Sequence, residues 1–201
     1  MQRTIDFHRP WYSKAINLLP SKIDGRIVEL GSGNGELAEL TKGRIINLTL
    51  VDINRGQNII PADFNRPLPF HSSEFSGAIS LEVIEHLAQS ELFLKEIYRV
   101  LKPKGWLIIS TPNIAWWGYR LFMLCGQPPK KEGYHLRFFT HHTFSQQLKI
   151  AGFRVKKSAS FTTIPGLNRL LIWLKFNPIY PCINYWPNFL AQDLVFLCRK
   201  K

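Results

Sequence analysis

The chain has little cysteine, little acid and no long apolar run. Its three cysteines, Cys125, Cys182 and Cys198, are odd in number and far apart. No disulfide framework or metal-ligand spacing follows from them, so a reducing cytosol is the expected compartment. No stretch of 18 uncharged apolar residues occurs, so no segment is expected to span a membrane. The beginning, Met1-Gln2-Arg3-Thr4-Ile5-Asp6, has no apolar signal core. The dinucleotide fingerprint G-x-G-x-x-G is missing too: counted from Gly31 and Gly33, its third glycine would fall where Glu36 stands. No Asn-Pro-Pro-Tyr type motif for a flipped base is present, nor any internal repeat or low-complexity segment. Acid is scarce as well. Lys and Arg number 26 against 14 Asp and Glu, a net charge of +12. That balance suits an anionic partner, nucleic acid or an acidic membrane surface, or simply an inert basic surface.

What is there describes a globular chain. With 201 residues, 45% hydrophobic and 20% charged, it can bury a sizeable core in a single domain, 1–201. Apolar residues Ile27, Val28 and Leu30 stop at Gly31-Ser32-Gly33-Asn34-Gly35, and an amphipathic segment follows. This predicts a buried strand, a tight turn and a helix over 34–42. Glycines there permit positive φ and let a ligand lie against bare main chain. Glu29, before the first glycine, is a poor neighbour for a pyrophosphate. It suits a cationic ligand bearing an ammonium and a sulfonium. The alternative is a βα turn that holds nothing.

A lead-in helix is expected over 8–19, with Pro10 near its start and Trp11 and Tyr12 packing in the core. The second strand, Leu48-Thr49-Leu50-Val51, ends at Asp52, about 20 residues beyond the glycine turn. In a parallel sheet this sets a carboxylate beside the glycine loop, where it can accept both hydroxyls of a ribose; alternatively it opens a turn. A short strand then ends at Asp63-Phe64. Asp63 can accept from an adenine amino group while Phe64 packs on the ring, or it can cap a loop. A fourth strand, Phe75 to Leu81, runs into Glu82-Val83-Ile84-Glu85-His86-Leu87. A helix over 90–101, a turn at Leu101-Lys102-Pro103-Lys104-Gly105 and a fifth strand from Trp106 follow. Strands alternating with helices across short connections imply an open parallel sheet with helices on both faces.

Residues 114–137 break the rhythm with Trp116, Trp117, Tyr119, Leu121 and Phe122 before a loop at 126–133. Their place after strand five suits a lid over a substrate, or a helix on the sheet edge. Thr140 is the expected cap of a helix carrying Phe144 and Leu148, and a sixth strand starts at Phe153 and continues toward Phe161. In the segment 161–192, Leu167, Leu170, Leu171 and Leu174 share one helical face, and prolines and aromatics punctuate the rest. The clean last strand is Leu194-Val195-Phe196-Leu197-Cys198. From Lys149 onward there are nine Lys and Arg and one Asp, so this quarter holds most of the positive charge. A basic, tryptophan-rich helix suits either the surface of an anionic membrane, through residues 161–190, or packing on the domain.

Glu29-Leu30-Gly31-Ser32-Gly33-Asn34-Gly35, the acidic strand end Asp52, Ala62-Asp63-Phe64 and Leu81-Glu82-Val83-Ile84-Glu85-His86-Leu87 together resemble a class I S-adenosylmethionine-dependent methyltransferase. Arg99-Val100-Leu101-Lys102-Pro103-Lys104-Gly105-Trp106 resembles that family's turn before strand five. His135-Leu136-Arg137-Phe138-Phe139-Thr140 with Ala151-Gly152-Phe153 resembles a subgroup with small-molecule or lipid-like acceptors, similar to the ubiquinone and menaquinone biosynthesis methyltransferases. The likeness covers residues 25–160.

The resemblance implies an α/β, Rossmann-like, doubly wound seven-stranded sheet, mostly parallel with one antiparallel C-terminal strand. It implies S-adenosyl-L-methionine as cofactor, leaving as S-adenosyl-L-homocysteine. Gly31, Ser32 and Gly33 would lie under the methionine part and Glu29 near its amino group. Asp52 with Ile53 would meet the ribose side, Asp63 and Phe64 the adenine, and Leu81 the cofactor's edge. His86, with Glu85, is the first candidate for a catalytic base; His135, His141 and His142 are weaker ones. Glu82, Glu85 and His86, at i, i+3 and i+4, could share a helical face and hold a divalent ion; no metal is assigned on that spacing. The expected activity is methyl transfer, O-methylation favoured, to a small acceptor that is apolar, aromatic or lipid-linked. The expected place is the cytoplasm, peripheral at the inner membrane surface. A nucleic-acid methyltransferase and a non-catalytic protein that keeps the fold are the other readings; nucleic acid is disfavoured because the charge sits mostly in the tail.

Overall fold

A computed structural model describes residues 9–128, 135–164, 166–183 and 185–201. The first eight residues and the 129–134 part of the expected insert lie outside the described residues, as does most of its loop. Seven strands form one sheet: β1 (Ile27–Leu30), β2 (Leu48–Asp52), β3 (Ile59–Pro61), β4 (Phe75–Ser80), β5 (Leu101–Pro112), β6 (Phe153–Ser158) and β7 (Asp193–Lys200). Their order is β3-β2-β1-β4-β5-β7-β6. β7 alone runs against its neighbours, pairing antiparallel with both β5 and β6. This is the doubly wound sheet implied by the sequence. The chain goes outward from β1 to β3 and then returns to β4 on the other side of β1. That reversal leaves a crevice beyond the carboxyl ends of β1 and β4, the usual ligand position in such sheets.

Successive strand residues point to opposite faces, so each apolar strand feeds two cores. Val28, Leu30, Ala78, Leu107 and Ile109 face one side. There they meet Phe93, Leu94 and Ile97 of the helix Ser90–Val100, and Phe144 and Leu148 of the helix His141–Ile150. Ile27, Ile79 and Ile108 face the other side and meet Tyr12, Ala15 and Leu18 of the helix Pro10–Leu18. In chain order the helices are α1 (Pro10–Leu18), α2 (Glu36–Leu40), α3 (Ser90–Val100), α4 (Trp117–Leu124), α5 (His141–Ile150), α6 (Leu167–Trp173) and α7 (Pro187–Leu190). Thr140 caps α5 as expected: its hydroxyl accepts from Thr143 N–H at 3.1 Å, and Thr143 returns a bond to the Thr140 backbone.

Several boundaries differ from the sequence reading. α2 is shorter than 34–42 because Gly35 takes φ +76° and keeps Asn34-Gly35 in the turn. The turn at 101–105 sits inside β5, where pairing jumps from Phe75↔Leu101 to Gly77↔Trp106 and the residues between bulge outward. β6 ends at Ser158, and Phe161 makes only isolated bridges, to Cys182 and Asp193. No described helix is long and apolar enough to cross a membrane.

Candidate active site

The glycine turn closes on β2. Gly31 and Ser32 N–H both donate to Val51 C=O, at 2.8 and 3.1 Å, and Gly33 N–H donates to Asp52 Oδ2 at 2.9 Å. Gly31 has φ +85°, and a Cβ there would stand 2.2 Å from Val83 Cγ2, so only glycine fits. Asp52 is 8% exposed, and its Oδ1 accepts from Asn54. Ile53 beside it is exposed. The sequence-predicted pairing of the turn with the acidic strand end is therefore present as a direct contact.

Glu29 lies under this turn at 3% exposure, and its Oε2 has no hydrogen-bond partner. Burial, with the charge of Asp52 added, raises its pKa to about 8. Ser32 Oγ is likewise buried without a partner. A buried carboxylate and a buried hydroxyl without partners are costly unless a polar ligand completes them. An ammonium against Glu29 would restore the charged form. These residues fit the methionine and ribose parts of S-adenosylmethionine. Leu81, at the end of β4, is 9% exposed and borders the crevice.

Asp63 Oδ1 accepts from Asn65 N–H at 2.9 Å, as Asp52 Oδ1 does from Asn54, and Oδ2 lies 3.5 Å from Arg66. The carboxylate closes its own loop, the capping alternative, and with 41% of the side chain exposed it keeps room to accept from an adenine amino group as well. Phe64 is placed differently from expectation: its ring is buried and packs against Phe93, 5.3 Å between centroids, so it does not offer a face to an adenine.

Arg9 is a site residue that the sequence reading missed. Its guanidinium donates to Tyr12 Oη at 2.8 Å, pairs with Glu36 at 3.2 Å, and is the atom nearest a Cβ built on Gly33, at 3.9 Å. It is a cation suited to a ligand carboxylate at the turn. Its only sequence signal is a basic residue directly before the helix-starting Pro10.

The second cluster follows β4. The expected common helical face of Glu82, Glu85 and His86 does not form. Glu82 has φ +56° and its carboxylate accepts from Ser110 Oγ at 2.7 Å, whereas Ile84–His86 make a single 3-10 turn. The group that does converge is Glu85, His86 and His135, with one ligand atom from each lying within 4.8 Å of the others. Glu85 is 1% exposed; its Oε1 lies 3.9 Å from His86 Nε2, and Thr111 Oγ1 donates to Oε2 at 3.3 Å. Leu136 and Arg137 N–H donate to Glu85 C=O at 2.9 and 3.0 Å, which holds the His135 ring 4.8 Å from that of His86. Three such donors can share a proton or hold a divalent ion. A narrow cleft beside them is lined by Glu85, Ile114, Tyr119, His135, Arg137 and Phe138. His141 is elsewhere: it starts α5, stacks on Phe196, and has its pKa lowered by burial.

A roomier cleft, about 700 Å³, lies away from this site. It is lined by Lys104, Arg154, Lys156, Arg199, Lys200 and Lys201. Arg199 pairs with Trp106 near the start of β5, whereas Asp193 pairs with Pro112 at its end. β7 therefore separates these cations from the glycine-turn end of the sheet by about 20 Å.

A family model described as a methyltransferase domain matches residues 6–158. The chain is 27% identical over 112 residues to a ubiquinone biosynthesis O-methyltransferase of Bartonella tribocorum, covering 48% of this chain and 45% of that protein. It is 29% identical over 103 residues to a probable S-adenosylmethionine-dependent methyltransferase of Mycolicibacterium smegmatis, covering 51% and 38%. The chain thus spans less than half the length of these curated relatives. A solved structure of a methyltransferase from Thermotoga maritima, described as a possible histamine N-methyltransferase, matches with a TM-score of 0.70 over 100% of this chain and 94% of that one, at 23% identity. At that identity the likeness speaks for the fold. The family match covers most of the chain and takes in the glycine turn, Asp52 and the Glu85–His86 turn, and on that ground the chain belongs to the methyltransferase-domain family.

Proposed function

We propose that the chain is an S-adenosylmethionine-dependent methyltransferase whose acceptor is a small apolar, aromatic or lipid-linked molecule with a hydroxyl group. The observation that carries the donor half is the buried Glu29 carboxylate without a partner under a glycine turn closed by Asp52. Family membership supports the same reading. The cofactor supplies a methyl group already activated on a sulfonium. The chain's task is then alignment and handling of the acceptor's proton. With the cofactor bound, Glu29 would meet the ammonium and Asp52 the ribose hydroxyls, and Gly31 and Gly33 would leave the main chain bare beneath it.

On the acceptor side His86 takes the hydroxyl proton. Glu85 is fixed by burial and by Thr111, and it orients and stabilises the imidazolium that forms. Ile114, Tyr119 and Phe138 put apolar side chains beside Glu85 and His135, a lining suited to an apolar or aromatic acceptor once the slit between them, about 10 Å³, opens. The O-methyltransferase relatives support oxygen as the acceptor atom. The reading places the protein in the cytoplasm. Titration of S-adenosylmethionine into the wild type and Asp52→Ala tests the donor half: unchanged affinity in the variant contradicts it.

A nucleic-acid methyltransferase is favoured only by net charge, and the densest cations lie about 20 Å from the site. Nucleic acid held there would not present a base to His86.

A further inference from the structure

Ordinary helices on a domain bury one face. α6 and α7 contain no fully buried side chain, and in α7 only Leu190 packs on the core. Trp173 is 77% exposed and Trp186 76%, and Phe176 and Ile179 are more than half exposed. α4 turns its second half outward in the same way, with Leu124 at 84%. These are not two separate patches. The Arg120 guanidinium of α4 lies 5.3 Å from the Phe189 ring centroid of α7. Trp116 Nε1 donates to Thr162 Oγ1 at 3.1 Å, and Asn113 Nδ2 donates to Pro187 C=O at 2.9 Å and to Ala191 C=O at 2.6 Å. The strand end that carries α4 is thus tied to the tail. Tyr119, on the inner face of α4, lines the cleft of Glu85 and His135, and exposed Phe138 stands on the cleft's other wall. The α4 edge of this linked surface therefore borders the cleft.

Its charge is one-signed. Residues 159–192 contain Arg169 and Lys175 and no Asp or Glu; residues 114–128 contain Arg120 and no acid. Tryptophan, tyrosine and a few cations around aliphatic side chains, without carboxylates, are what the interface of an anionic bilayer accepts. So many exposed aromatic and aliphatic side chains in two linked segments are unusual on a free surface. Five of the other tail cations, Arg154, Lys156, Arg199, Lys200 and Lys201, do not contribute, since they lie at the opposite end of the sheet.

We propose that α4 together with the α6–α7 segment is a membrane-docking face whose α4 edge borders the mouth of the acceptor cleft, and that apolar and aromatic insertion holds it rather than the cation-rich end of the sheet. The reading of that mouth as the acceptor entrance rests on the proposed function; the docking itself does not. A lipid-borne acceptor would then reach His86 from the bilayer without crossing water.

The test is flotation of the full chain with vesicles of equal parts phosphatidylcholine and phosphatidylglycerol, at about 0.1 M and about 0.5 M salt. The wild type should float at both. W173S/W186S should lose binding by at least about tenfold, with an unchanged melting temperature because both rings are exposed. R154Q/K156Q should float as the wild type does. Failure of the wild type to float overturns the proposal. So does binding that disappears at high salt or in R154Q/K156Q, which would place docking at the cationic end. So does a dimer in light scattering that W173S/W186S dissolves, since a second copy would then be the occupant. S-adenosylmethionine titrated into the same samples separates the two readings: flotation without cofactor binding defeats the proposed function alone, and cofactor binding without flotation defeats the docking face alone.

Discussion

On the donor side of the crevice the functional groups sit at strand ends and are buried: Glu29 at 3% exposure, Ser32 at 0% and Asp52 at 8%. On the proposed acceptor side, Tyr119 of α4 lines the slit beside Glu85 and His135, and α4, α6 and α7 turn large apolar side chains outward. The donor side is fixed by the sheet. Parallel pairing of β1 with β2 brings Leu30 beside Val51 and so sets Asp52 against the glycine turn. The acceptor side hangs from a few links, chiefly Asn113 and the Glu85 carbonyl. A fixed donor site beside a surface-built acceptor site lets one fold keep its cofactor while its acceptor changes.

The comparison can be broken experimentally, and the largest effect comes first. His86→Asn should lower methyl transfer by about 10²–10⁴-fold while S-adenosylmethionine affinity stays within about twofold. A matching loss of affinity in calorimetry would show that the two sides are not separable. Gly31→Ala should abolish cofactor binding and cost about 2–3 kcal/mol in urea unfolding, because its Cβ meets Val83 at 2.2 Å in a left-handed backbone. Asp52→Ala should weaken cofactor binding about 10- to 100-fold, the loss of hydrogen bonds to a charged group.

A pH effect of intermediate size sharpens the donor side. Burial and the charge of Asp52 push Glu29 in the folded chain up to about 8, against an ordinary value of 4.5. The folded state therefore holds a proton that the unfolded chain releases between those values. Stability should be greatest below about pH 4.5 from this group, fall as pH rises to about 8, and level off above. Melting curves of the ligand-free protein should drop by several degrees across that window, and Glu29→Gln should remove the slope. The smallest effect belongs to the acceptor side. Leu124→Ser should change folding stability by less than about 0.5 kcal/mol, since the side chain is 84% exposed. A large loss would mean that α4 is held from outside.

The same contrast explains what was legible in the sequence. Glycine spacing, an acidic strand end and strand–helix alternation are local patterns, and they lead to β1, β2, an open parallel sheet and Asp52. The Glu85–His86–His135 group was legible only in part. His135 arrives from 49 positions away through backbone bonds to Glu85, and Glu82 leaves the group because its backbone is left-handed. Phe64 read as a ligand contact because an aromatic after a strand end fits either an adenine or a core, and only packing against Phe93 decides. The tail's charge read as one feature. The direction of β7 divides it, with Arg199 and Lys200 at one end of the sheet and Arg169 and Lys175 toward the other. An apolar helix that packs and one that stays exposed have the same composition, so α6 could not be placed before the structure.

The central claim is that Glu29 and the glycine turn hold the cationic methyl donor. Calorimetric titration of S-adenosylmethionine near pH 6.5, in two buffers of different ionisation enthalpy, tests it most directly. Glu29 is protonated when alone and ionised against an ammonium, so the account predicts one-to-one binding with net proton release that disappears in Glu29→Gln. Absence of binding, or proton release that persists in Glu29→Gln, would contradict it.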